Sequence, residues 1–191
     1  MTTSQAPVAG RELRALGSIQ QLVAGRPGML ATARGLSHFG EHSLGWVGVA
    51  VIGAALDSPR RGQWGSVALG AVGAHAASIV LKRMIRRPRP DHPSVRIGVR
   101  TPSKLSFPSS HAASTAAAAV LLGKLTGWPL PALLIPPMVL SRMVLGVHYP
   151  TDVLAGATLG AGAATALLLA QDKYGLPGGP MSEQSDVGLH R

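Results

Sequence analysis

Cysteine is absent from the 191 residues. That excludes a disulfide framework and any thiolate metal site, and it leaves the redox compartment open. Aromatic residues are 4% of the chain and acidic residues number 8 against 18 Lys and Arg. A nucleic-acid binder can be as basic as this, with a net charge of +10. Here the cations lie beside and between apolar segments with few aromatics interleaved, so no nucleic-acid partner is expected. Anionic lipid or a phosphorylated substrate fits the pattern better. The N-terminus also lacks an early apolar run with a cleavage site, so no signal peptide is expected.

What is abundant is Ala, Leu, Val and Gly. Small residues on this scale suit close helix packing in lipid. Five apolar stretches run at about Leu36–Leu56, Trp64–Leu81, His111–Leu125, Leu130–Leu145 and Val153–Ala170. Residues 64–81 and 153–170 contain no Asp, Glu, Lys or Arg. A helix of a soluble bundle shows a charged outer face, so these read as membrane helices. The expectation is an all-α polytopic membrane bundle of about five spans, forming one domain over residues 11–171. Residues 1–10 read as disordered. Residues 11–24 place Leu13, Leu16, Ile19, Leu22 and Val23 on one face of an interfacial helix. Residues 172–191 read as a mobile polar tail. "GATLG", Gly156–Gly160, is a helix-packing pattern, read as internal packing rather than dimerisation; nothing here fixes an oligomeric state.

Five spans would put thirteen Lys and Arg on the side of the N-terminus, the 82–110 loop and the 141–152 turn, and five on the other. The positive-inside rule makes the first side cytoplasmic, in the cell membrane. Ionisable groups next to apolar segments are costly and are usually paired, solvated or functional. Three such segments share that side. "KRMIRRPRP" carries Lys82 and Arg89 followed by Pro90; "FPSSHAA" carries Ser109, Ser110 and His111; "SRMVLGVHYPTD" carries Ser141, Arg142, His148 and Asp152. Together they read K-x6-RP, PSSH and SR-x5-H-x3-D. This order and spacing resembles the three-part signature of the type 2 phosphatidic acid phosphatase superfamily, which includes the vanadium haloperoxidases. One position departs from it: Ser110 stands where the usual motif has Gly, whose lack of a side chain helps backbone approach an anion. The short chain and "SHFGEHSLGW" are also similar to small actinobacterial members of that superfamily.

The residue types suit phosphoryl transfer. Charge spreads over three equatorial oxygens in transit, so catalysis is mostly positioning and electrostatic stabilisation. Lys82, Arg89 and Arg142 can supply the positive charge without a metal or other cofactor. Ser109 and Ser110, at the start of a helix, form an anion seat with their N–H groups and hydroxyls. The nucleophile is one of two histidines. The resemblance assigns that role to His148, with Asp152 on its far ring nitrogen, and assigns leaving-group protonation and water activation to His111. Ser141 either bonds the backbone or packs. Arg83, Arg86 and Arg87 read as interfacial charges facing anionic lipid. "HFGEH", His38–His42, fits an inverted zinc-protease pattern. It lacks a third ligand, and Gly40 weakens the helix that would hold both histidines, so these residues read as the substrate entrance or a headgroup-level segment. The resemblance thus implies a membrane phosphatase of the acid phosphatase/vanadium haloperoxidase fold, acting on a phosphorylated lipid. The small actinobacterial members imply a polyprenyl-linked phosphosugar as the substrate; phosphatidylglycerophosphate, phosphatidate and polyprenyl diphosphate are the rival substrate classes, and a non-enzymatic lipid-phosphate binder or transporter is the rival outside enzymes.

Overall fold

In the computed structural model, residues 6–178 are described, with side chains from residue 10 onward. Seven α-helices follow in order: α1 (Ala6–Ile19), α2 (Met29–Phe39), α3 (Leu44–Leu56), α4 (Arg61–Ile85), α5 (Ser110–Thr126), α6 (Leu130–Val144) and α7 (Pro150–Tyr174). No strand occurs among the described residues; the 86–109 loop holds one isolated antiparallel bridge, Pro88 to Leu105.

α5 stands at the centre, against α4, α6 and α7. Its alanines explain the position. Ala112, Ala113, Ala116, Ala117, Ala118 and Ala119 are all fully buried, so neighbouring backbones approach closely. On α7, a Cβ at Gly156 would lie 2.4 Å from the Ser109 carbonyl oxygen, and one at Gly160 would lie 2.0 Å from that of Ala113. The Gly156–Gly160 pair therefore serves the α5–α7 contact. Trp46 from α3, Val67 and Ala71 from α4, and Leu121 complete the core.

The outer faces are apolar too. Leu44, Val51, Ile52, Leu69, Val72, Val80, Leu133, Leu154 and Leu169 are exposed. Exposed apolar side chains on several helices at once mark a surface that faces lipid rather than water. α4 and α7, 25 residues each, reach about 37 Å at 1.5 Å per residue and are apolar enough to cross a bilayer. α5 and α6, with 17 and 15 residues, fall short of the roughly 20 that a full span takes.

The first apolar stretch differs most from expectation. It is not one helix. α2 and the segment Glu41–Leu56 meet at a bend of 52°, and together they have the composition of a span. The break is local: His42 and Ser43 both take left-handed backbone conformations, at φ 50° and 63°. α1 also differs. It begins at Ala6, inside the stretch read as disordered, and the helix expected to run to residue 24 passes into a wider turn at Gln20–Ala24. It is packed onto the bundle rather than lying beside it, with Glu12, Leu16 and Gln20 buried. Gln20 ties it down through its side-chain amide, which donates to the carbonyls of Arg96 (2.8 Å) and Val144 (3.0 Å). α7 runs to Tyr174, past the expected helix end, and residues 179–191 of the expected tail lie outside the described residues.

Candidate active site

The C-terminal ends of α4 and α6 and the N-terminal ends of α5 and α7 meet at one end of the bundle. The three motifs therefore converge, although 70 residues of sequence separate Lys82 from Asp152. Between them opens a cavity of about 460 Å³. Lys82, Arg89, Ser110, His111, Arg142 and His148 all line it.

His148 sits in the short turn before α7 and is 2% exposed. Its Nε2 lies 3.2 Å from Arg89 Nη1, an arrangement in which the guanidinium donates and Nε2 keeps its lone pair. Nδ1 then carries the proton and faces Asp152 Oδ2 at 3.6 Å, longer than a hydrogen bond. Burial, with the cations Arg89, Arg142 and Lys82 close by, pushes the imidazole well below the ordinary histidine range. His148 is thus neutral at pH 7, the state a nucleophile needs.

The three cations are held by carbonyls and hydroxyls, not by acids. Lys82 Nζ donates to the carbonyls of Leu105 and Ser106, each at 3.4 Å. Arg89 donates to Ser103 O (2.8 Å) and Val147 O (2.6 Å). Burial lowers it to about 10, so it stays charged near neutrality. Arg142 is 2% exposed; its Nη1 donates to Ser37 Oγ at 2.8 Å and its buried Nε has no protein partner. Among the described residues none of the three forms an ion pair with a carboxylate. Burying unpaired charge is expensive. A site that gathers two such cations and the half-buried Arg89 around one neutral imidazole is built to receive an anion of more than one charge.

His111 opens α5. Its Nε2 is 3.0 Å from the Ser37 carbonyl, which fixes a proton on Nε2 and leaves Nδ1 for proton exchange. The two serines divide. Ser110 lines the cavity, with its hydroxyl 2.6 Å from that of Ser78. Ser109 is fully buried and engaged: its N–H donates to Asp152 O at 2.9 Å and its hydroxyl caps α5 by accepting from Ala112 N. Its groups support the backbone rather than point into the cavity. Ser141 bonds backbone, donating to Met138 O at 2.7 Å.

Asp152 is busier than a simple histidine partner. Oδ2 accepts from Tyr149 N at 2.8 Å, completing the cap of α7, and Oδ1 accepts from Arg87 Nη1 at 2.8 Å. Arg87 is therefore not the interfacial charge that the sequence pattern suggests. It also pairs with Glu12 and lies 4.1 Å above the Tyr149 ring. Burial pushes the Tyr149 phenol up, against the opposing pull of Arg87. Two further contributors lie outside the three motifs. Ser37 supplies both the hydroxyl on Arg142 and the carbonyl on His111. Glu12 had one signal in the sequence: it is the only acid in the first 40 residues. The "HFGEH" residues His38, Glu41 and His42 line the outer cavity with His75, Arg83 and Arg100.

A charged cradle around a neutral histidine, at one end of an apolar helical bundle, defines a phosphoryl-transfer site in a membrane protein. The profile of the PAP2 superfamily matches residues 63–175, and the chain belongs to that superfamily. It is an integral membrane phosphatase of it. The chain is similar to decaprenylphosphoryl-5-phosphoribose phosphatase of Mycolicibacterium smegmatis, 60% identical over 141 residues that cover 74% of this chain and 78% of the relative. It is 55% identical to the protein of the same name from Mycobacterium tuberculosis, over 150 residues covering 78% of this chain and 85% of the relative. Among solved structures, the fold is that of a transmembrane PAP2-type phosphatidylglycerolphosphate phosphatase from Bacillus subtilis: TM-score 0.67 at 24% identity, covering 84% of this chain and 86% of that one.

Proposed function

We propose that this phosphatase removes the 5-phosphate of decaprenylphosphoryl-5-phosphoribose, a step in supplying precursors of cell-wall arabinan, by way of a phosphohistidine. The observation that carries the chemistry is the set of three cations, Lys82 and Arg142 buried and Arg89 half-buried, without acidic partners among the described residues, around neutral His148. The similarity to the two mycobacterial relatives supports the substrate.

His148 Nε2 attacks phosphorus while the bond from phosphorus to the ribose oxygen breaks. His111, protonated once the bound phosphate's negative charge stands beside it, gives that proton from Nδ1 to the oxygen. Lys82, Arg89 and Arg142 hold the equatorial oxygens as their charge grows, which is where a preformed cationic site stabilises most. Water then attacks the phosphohistidine with His111 as base, so that the P–N bond breaks, inorganic phosphate leaves and His148 returns neutral. The negative charge on Asp152, 3.6 Å from Nδ1, favours the imidazolium that forms. The positive charge a metal would bring is already supplied by side chains, so the reaction needs none.

The lipid substrate carries a second phosphate, the diester to the polyprenyl chain. Arg83 and Arg100 line the outer part of the cavity and suit that group, while His38, Glu41 and His42 are placed for hydroxyls between. The apolar helix faces give the chain access from the bilayer, and the basic loops favour anionic lipid around the mouth. The thirteen-to-five Lys and Arg bias expected for five spans supports a cytoplasmic location for this end of the bundle.

The test is phosphate release by the purified protein from lipid phosphates bearing phosphoribosyl, phosphatidylglycerol, phosphatidate and polyprenyl diphosphate heads, with EDTA present. Release from the phosphoribosyl lipid, lost in a folded His148→Ala variant, is expected. A preference for another head group would overturn the substrate. No release by the wild type, or wild-type release by the variant, would overturn the chemistry.

A further inference from the structure

α1 lies outside the residues that the family profile matches, which begin at 63. Yet one of its side chains reaches the catalytic turn. Glu12 is 8% exposed. Its Oε1 accepts from the backbone N–H of Thr151 at 3.2 Å and from the Thr151 hydroxyl, and its Oε2 pairs with Arg87. Arg87 in turn reaches Thr151 Oγ1 at 2.7 Å and Asp152 Oδ1 at 2.8 Å. A buried acid from the first helix, a half-buried base from the 86–109 loop and a buried acid from α7 are thus one cluster, with the Tyr149 ring stacked beneath the guanidinium.

The charges matter more than the count of bonds. Arg87 and Asp152 alone would cancel, and a cancelled Asp152 does little for a positive imidazole. Glu12 divides the guanidinium between two carboxylates, so the cluster keeps a net charge of about −1 beside His148 Nδ1. That charge acts in the step where His148 gains positive character. Glu12 also fixes the N-terminus of α7, at Thr151, on which the position of Asp152 depends.

We infer that Glu12 and Arg87 are positioning residues of this phosphatase: through Asp152 they set the orientation and basicity of His148, so that α1 is part of the working site. The inference rests on His148 being the nucleophile, as proposed above.

Glu12→Gln keeps the shape and an acceptor for Thr151 but removes the charge. The readouts are kcat, KM, the amount of phosphoenzyme trapped by rapid acid-free quench, and the acid limb of kcat/KM against pH. Partners that orient a functional histidine are worth on the order of 10–100-fold in activity. The expected result is a fall of about tenfold in kcat with KM little changed, less phosphoenzyme, and an acid limb moved to lower pH, since imidazolium is less stable without the extra negative charge. Glu12→Asp should restore part of the rate and return the limb toward its wild-type position. Arg14→Gln, on the exposed face of the same helix, should change none of these. A loss of activity that follows only the loss of folded protein, with the limb unmoved, would overturn the inference, and so would wild-type kcat in Glu12→Gln. His148→Ala separates the two levels. If it stays active, the nucleophile itself is wrong; if it is dead while Glu12→Gln is normal, only the role of α1 fails.

Discussion

Gly40→Ala should disable the phosphatase without unfolding it. A Cβ built on Gly40 lies 2.7 Å from His111 Cδ2 and 3.2 Å from Met138 Cε. Ordinary carbon contacts are about 3.5–4.0 Å, so the imidazole must retreat by roughly 1 Å. Backbone conformation is no obstacle, since Gly40 sits at φ −80°, ψ −2°, open to alanine. The crowding costs about 1–3 kcal/mol, partly offset by roughly 0.4–1 kcal/mol from a stiffer unfolded chain, so the protein stays folded. Misplacing a reacting group by 1 Å can cost about 100-fold in rate. The assay is the single-turnover rate of phosphoenzyme formation from a lipid phosphate and from an aryl phosphate whose leaving group needs no proton. The lipid rate should fall about 100-fold and the aryl rate far less, because in that step His111 acts only on the leaving oxygen. Gly40→Ala should add little to His111→Ala, since both act on one group. Equal losses on the two substrates, or additive losses in the double variant, would refute the reasoning.

Two further outcomes follow from the same geometry. Because burial and three neighbouring cations hold His148 below the ordinary histidine range, it protonates only below pH 6.5. kcat/KM should therefore hold as pH falls through 6.5 and drop only at more acid values; a half-loss at 6.5 would place His148 in an unperturbed environment. Vanadate, a five-coordinate mimic of the phosphoryl group in transit, should inhibit strongly, and EDTA should not; activity lost to EDTA and restored by magnesium would end the metal-free mechanism. For orientation, single cysteines at Ser103 and Ser185 meet no native thiol. An impermeant reagent on intact cells should label position 185 and spare 103, and labelling of 103 alone would put the site outside.

The three motifs were legible because each carries residues that lipid-facing sequence does not tolerate without a reason. Lys82, Arg89, Ser110, His111, Arg142 and His148 meet around one cavity as the motif order implies. What sequence could not show is which polar groups are spent on the scaffold. Ser109 looks the same as Ser110 in "FPSSHAA", but the first serves as helix cap and donates its N–H to Asp152 O, while only the second faces the cavity. Arg83, Arg86 and Arg87 look alike as well. Arg83 lines the cavity, and Arg87 turns toward Asp152, because Glu12, 75 residues earlier in the chain, lies buried opposite it. Such pairings depend on where α1 docks, and a helix with one apolar face docks by packing that its own periodicity does not specify.

The "HFGEH" segment joins two features that look unrelated in the sequence: a broken metal-ligand pattern and an apolar stretch with a polar start. In the structure they are the same corner. Left-handed backbone at His42 and Ser43 splits what would be one span into two helices meeting at 52°. Non-helical backbone at membrane depth is tolerated where protein buries it or where it lines a cavity, and both hold here. Ser43 is fully buried, its hydroxyl 3.4 Å from Ala71 O, and His42 stands over His75 with ring centres 6.0 Å apart. The bend brings the end of α2 over the cavity, so that Ser37 meets both Arg142 and His111, and Gly40 leaves room for the imidazole. A straight helix through residues 36–56 could not keep Ser37 at the cavity and seat Trp46 in the core on α5, where its indole N–H donates to Thr115 at 3.1 Å. The break in the first apolar stretch is therefore what lets one segment of chain serve both the packed bundle and the wall of the site.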